Sequence, residues 1–146
     1  MTDVEGLVAS GLSLFNEDGL ARDRLRNPDW PPANATDYET GNLADPDVLV
    51  LVAVVGRDVI GHLTAGFHAD SAMWIAPTVD LMSLNVMPDW RGQSIGTRLI
   101  ADFTSWARER GAVQSRVTAY TANENALRFY RRHGFGPLET TLVADL

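Results

Sequence analysis

Between Val79 and Gly111 the chain changes its apolar period once, across a loop of small residues. Val79, Leu81, Ser83 and Asn85 alternate with Asp80, Met82, Leu84 and Val86, so a period of two holds with apolar side chains on both faces. That mix suits a central strand covered on two sides. From Ile95 the spacing turns helical: Ile95, Leu99, Ile100, Phe103 and Trp106 recur on one face, and Gly111 supplies a stop. Pro88 breaks the strand, and Arg91-Gly92-Gln93-Ser94-Ile95-Gly96 carries the turn. The start of a helix leaves four N–H groups unpaired and bears a partial positive charge. Strand, small-residue loop and helix start in that order make a candidate phosphate cradle. The competing reading is an ordinary strand-to-helix turn with a glycine for packing.

The flanking sequence predicts a mixed α+β arrangement. Residues 4–22 read as an amphipathic helix, weakened at Gly11 and at Asp18-Gly19 so that two short helices are an alternative. Arg22 to Asp47, with Trp30-Pro31-Pro32 at its centre, reads as a long loop with a short helix near Ala35–Leu43. Val48–Val55 is a β-branched run expected as a buried strand, and Gly56-Arg57-Asp58 turns it into a hairpin arm at Val59–Phe67. His68 to Pro77 reads as a loop. Val113–Tyr120 is expected as a strand parallel to Val79–Val86, joined by a helical crossover. Thr121 and Glu124 fit a capping box for a helix over about Ala122–Arg132, with Gly134 after it, and Leu138–Ala144 reads as a final strand.

Composition narrows the chemistry. The chain has 146 residues and no Cys, and its 12 basic residues are all Arg. A single domain over residues 1–146 is the expectation from length. Without Lys, a Schiff base and a phosphate-loop lysine are excluded; without Cys, so are thiolate metal sites and cysteine nucleophiles, and no metal is expected. A net charge of −7 argues against general nucleic-acid binding and favours a neutral or cationic partner. No apolar run approaches the ~20 residues of a membrane span, and the N-terminus lacks the features of a signal peptide, so the cytoplasm is the expected location.

Two segments carry a family resemblance. Leu84-Asn85-Val86-Met87-Pro88-Asp89-Trp90-Arg91-Gly92-Gln93-Ser94-Ile95-Gly96 resembles the Arg/Gln-x-x-Gly-x-Gly/Ala loop of the GNAT superfamily of acetyl-CoA-dependent N-acetyltransferases. Asn123-Glu124-Asn125-Ala126-Leu127-Arg128-Phe129-Tyr130-Arg131-Arg132-His133-Gly134-Phe135 is similar to that family's Asn-x-x-Ala-x-x-Phe-Tyr-x-x-x-Gly-Phe segment. The resemblance covers residues 79–136. It departs at Ser94, where the family usually has its middle Gly, and at the start, where the family's first strand is missing or very short.

The resemblance implies a central mixed sheet, antiparallel at first and parallel around the cofactor loop. It implies acetyl-CoA as co-substrate, with the diphosphate on the amides of Gln93, Ser94, Ile95, Gly96 and Thr97. Arg91 and Arg98 would offset the phosphate charge, with Gly92 in the same loop; Val86 and Met87 would lend backbone groups to the pantetheine arm and thioester carbonyl, and Asn123, with Ala126, would contact the cofactor's amide system, a helix-start Asn being the alternative for Asn123. Tyr130 would protonate the departing thiolate; filling the core edge is its alternative role. Asp80 is the candidate general base, with Asn85 ordering a water, or else a surface or hairpin-facing carboxylate; His62 and His68 are weaker candidates. Trp30 and Tyr38, with Asp29, Asp37 and Glu39, could hold a cationic acceptor by charge and ring face, or simply form a solvated loop. The implied activity is acetyl transfer to a primary amine of a small molecule or protein by direct attack in a ternary complex, in a possible homodimer. The alternative is a non-catalytic acyl-CoA-binding or sensing module.

Overall fold

The computed structural model describes residues 3–146 and centres on a four-stranded sheet ordered β1 (Val48–Val55), β2 (Asp58–His68), β3 (Thr78–Val86) and β4 (Gln114–Val117). β1–β2 and β2–β3 are antiparallel and β3–β4 is parallel, the mixed sheet expected from the sequence. The near-continuous apolar run of β1 suggested burial, yet β1 is an edge strand whose first six residues are partly buried and whose Val54 and Val55 are exposed. β4 is shorter than expected because the chain leaves β3 after Val117.

The alternation expected along β3 is interrupted by one residue. Thr64 lies opposite Ser83 while Ala65 lies opposite Leu81, so Met82 is an added residue in the ladder. One inserted residue exchanges the two faces. Val79 and Leu81 consequently face α4 (Ile95–Glu109), where they join Leu63, Ala65, Leu99, Ile100 and Phe103 in the core. Ser83 and Asn85 turn to the other face, under α1 (Asp3–Leu14).

α1 does not break at Gly11. It continues through a π-helical turn at Phe15–Gly19 into the single turn α2 (Leu20–Arg22). The expected long loop is largely helix α3 (Trp30–Ala44), because Pro31 and Pro32 sit in its first turn. There their missing N–H groups have no intrahelical partner to lose. α3 packs on α1 and β1, and α5 (Glu124–Arg132) leans against the first turn of α4. The capping box gives way to Asn123, whose side chain accepts from the Ala126 N–H at 3.1 Å. Leu138–Ala144 forms no strand. Pro137 removes a ladder donor, and the exposed tail runs instead to the turn after α2, where Asp145 pairs with Arg24.

Candidate active site

The parallel strands hold together only from Thr78↔Gln114 to Leu81↔Val117 and then separate. The Met87 N–H donates to Ile60 O at 2.7 Å, so Gly61 and Val86 form a non-hydrogen-bonded pair of the ladder. The backbone groups of Val86, and of Leu84 two residues earlier, therefore turn away from β2 into the gap left by β4. Such a gap presents donors and acceptors to an extended ligand as an added strand would. Val86 can offer its N–H to that role, while its carbonyl already accepts from Arg91 Nε at 2.8 Å. The Met87 N–H cannot, since β2 already holds it.

The gap leads to the loop. Gly92 (φ +76°) and Ser94 (φ +63°) both adopt left-handed backbone, and Ser94 is the non-glycine residue with positive φ among those described. It stands at the N-cap of α4 without a side-chain cap, and the first intrahelical bond runs from Arg98 N to Ser94 O at 3.1 Å. The N–H groups of Ser94, Ile95, Gly96 and Thr97 thus point out of the helix start, a nest for an anion. Ser94 fills here the place of the family's Gly, in a conformation that disfavours a Cβ by about 1 kcal/mol.

Gly96 also has the packing role that the sequence offered as the alternative. A Cβ there would meet the Phe129 ring at 3.2 Å, so the glycine lets α4 and α5 approach. The contact carries on to Tyr130, whose ring meets Phe129 edge-on at 5.4 Å and Phe135 at 5.6 Å. Burial first, and the charge of Asp18 second, push the Tyr130 phenol up to about 12. It therefore keeps its proton throughout the neutral range.

Arg91 is diverted from the loop. Its Nε donates to Val86 O at 2.8 Å and its two terminal nitrogens grip Glu17 at 2.6 Å each. That fork holds the Glu17 carboxyl below the usual range. Asn123 is likewise committed, its Nδ2 donating to Asp18 at 3.0 Å. The π turn thus ties both arms of the gap: Glu17 holds the β3 side and Asp18 the α5 side. Sequence patterning missed this turn, although the Asp18-Gly19 interruption marked its place.

The remaining expected residues fall into two groups. Asn85 is buried and donates to Ser10 O at 3.1 Å, while His62 bridges Ser10 Oγ (2.7 Å) and Ser83 Oγ (2.9 Å). Burial drives the His62 imidazole down to about 4, so this chain of polar groups is neutral and structural. Asn85 ties β3 to α1 through Ser10. Asp80 is set apart: it lies opposite Arg116 in the paired half of β3, bonded to His68 Nε2 at 2.9 Å. Strand rise puts it about 20 Å before Val86. Trp30 and Tyr38 form an exposed edge-on pair at 5.7 Å on α3, whereas Glu39 is buried against Gly11 and unavailable to an acceptor.

A cleft of about 400 Å³ runs between β1 and α4, lined by Val52, Val54, Ile60, Leu99 and Asp102 among others. It borders the helix start at Gln93, Ile95 and Arg98 but touches neither Val86 nor any residue of α5. No group of three metal-ligating side chains occurs among the described residues, and none of the helices there is long and apolar enough to cross a membrane.

Residues 15–135 match the Acetyltransferase (GNAT) family. An aminoalkylphosphonate N-acetyltransferase of Salmonella typhimurium is 33% identical over 110 residues, 70% of each chain. A streptothricin acetyltransferase of Streptomyces lavendulae is 36% identical over 107 residues, which is 73% of this chain and 54% of that one. An uncharacterised N-acetyltransferase of Methanocaldococcus jannaschii is matched over only 40% of its length. Among solved structures, a Bacillus halodurans protein superposes with a TM-score of 0.87 at 20% identity, over 99% of this chain and 94% of that one. An aminoglycoside N-acetyltransferase in complex with CoA superposes with a TM-score of 0.67 at 19% identity, over 75% of this chain and 84% of that one.

Proposed function

Because the chain belongs to the acetyltransferase (GNAT) family, we propose that it transfers an acetyl group from acetyl-CoA to a primary amine by direct attack in a ternary complex. The observation that carries this reading is the gap between β3 and β4, whose outward-facing backbone at Leu84 and Val86 leads to the amides of residues 94–97. These groups fit a ligand with an amide-bearing arm and a diphosphate. Acetyl-CoA supplies the activated acetyl group. The chain supplies position and protons: the helix start holds the diphosphate, Val86 holds the arm, and Arg98 adds positive charge at the same turn. Tyr130, kept protonated by its surroundings, delivers a proton to the departing sulfur, and the proton that the attacking amine loses as its N–C bond forms restores the phenol through solvent.

The acceptors named for the relatives (aminoalkylphosphonate and streptothricin) are small amine-bearing molecules, and a small amine is the class proposed here. The test is release of free thiol from acetyl-CoA with a panel of amines. Amine-dependent release supports transfer. Tight acetyl-CoA binding without release points instead to a binding or sensing module.

A further inference from the structure

The arginines around the π turn differ in how they are matched. Arg22 pairs with Asp18 at 2.7 Å, Arg24 with Asp145, and Arg91 with Glu17 at 2.6 Å. Arg26 has no such carboxylate among the described residues. Its Nε and Nη2 both approach the Tyr120 Oη at 3.3 Å. A guanidinium has five N–H donors, so most of its capacity is unspent; Tyr120 accepts with its lone pairs and keeps its own proton to donate.

This donor pair sits at the entrance to the gap. A Cβ on Gly19 would lie 3.8 Å from Arg26 Nε, which places the guanidinium over the π turn. Tyr120 lies just beyond the end of β4, and its carbonyl accepts from the Asn123 N–H at 2.9 Å. Asn123 in turn holds Asp18 and begins the helix that carries Tyr130. An unmatched guanidinium and a phenol proton thus stand by the π turn, next to the Asn123–Asp18 pair.

Resting on the acetyl-transfer reading, we infer that Arg26 and Tyr120 form an acceptor subsite for an acid group. The substrate class is a small amine that also carries a carboxylate or phosphonate, its acid held by the guanidinium fork and the phenol proton, its amine turned inward past Asp18. Planar, forked donors suit both acid groups. The site thereby selects zwitterions over simple amines, despite the chain's overall negative charge.

Matched acceptors test this. Thiol release is compared for 2-aminoethylphosphonate against ethylamine and for β-alanine against propylamine, with the wild type, Arg26→Gln, Arg26→Lys and Tyr120→Phe. The expected result is a preference of about tenfold or more in kcat/KM for at least one acid-bearing partner. Arg26→Gln should erase it through KM with kcat nearly unchanged, and Arg26→Lys should restore part of it. Calorimetry of the preferred acid in the presence of CoA should show the same loss of affinity, while acetyl-CoA binding stays intact. Equal rates for both members of each pair, or an equal loss for both in Arg26→Gln, would overturn the subsite and leave acetyl transfer standing. No thiol release with any amine would overturn the transfer reading itself.

Discussion

Ser94 and Gly92 show how a single side chain marks this site. Two left-handed residues flank Gln93, and only one is glycine. Ser94→Gly should therefore raise stability by about 0.5–1 kcal/mol in urea unfolding, with Ser94→Ala giving no such gain; an equal response would show that no backbone strain is stored there. Tyr130→Phe should slow turnover by about tenfold or more near neutral pH with acetyl-CoA affinity nearly intact. Unchanged turnover would remove the phenol as acid. His62 has a thermodynamic role instead. Its imidazole titrates near 6.5 when unfolded and at about 4 when folded, so the unfolded chain binds the extra proton in between. Stability is then full above pH 6.5 and declines as pH falls toward 4, by about 3 kcal/mol in total. A pH series of unfolding free energies checks this, and a flat curve between pH 6.5 and 4 would contradict it.

Among the elements, those with a clean period were legible: the β1–β2 hairpin, β3, α4 and the body of α5 follow directly from residue spacing. Three features were hidden for separate reasons. Pro31 and Pro32 looked like loop formers because a first helical turn and a loop tolerate proline equally. The added residue at Met82 leaves no mark in an apolar alternation, yet it sends Ser83 and Asn85 to α1 and so decides which residues reach the gap. The π turn depends on partners far along the chain, Glu17 with Arg91 and Asp18 with Asn123, which no local window contains. α4 and α5 are coupled through Gly96 and Phe129. Gly96→Val should therefore weaken acetyl-CoA binding by more than about tenfold and also shift the Tyr130 environment, since the ring in the way is Tyr130's neighbour. Calorimetry and tyrosine fluorescence read the two effects; normal affinity would mean the helix start tolerates displacement.

At the scale of the molecule, sheet and helices are arranged so that one face is core and one edge is chemistry. Phe103, fully buried, anchors α4 to Leu63, Val79 and Leu81, and its replacement by Ala should cost about 3–5 kcal/mol. The family was readable from two short segments because their residues act through backbone position and helix starts. The general base left no such mark: the candidate Asp80 sits in the paired half of β3, opposite Arg116 and bonded to His68. The account rests on the gap and helix start receiving acetyl-CoA rather than the cleft between β1 and α4. Backbone amide chemical shifts followed during acetyl-CoA titration separate the two directly. The account predicts that the largest changes fall on Leu84, Val86 and Ser94–Thr97; changes centred on Val52, Val54 and Asp102 would contradict it.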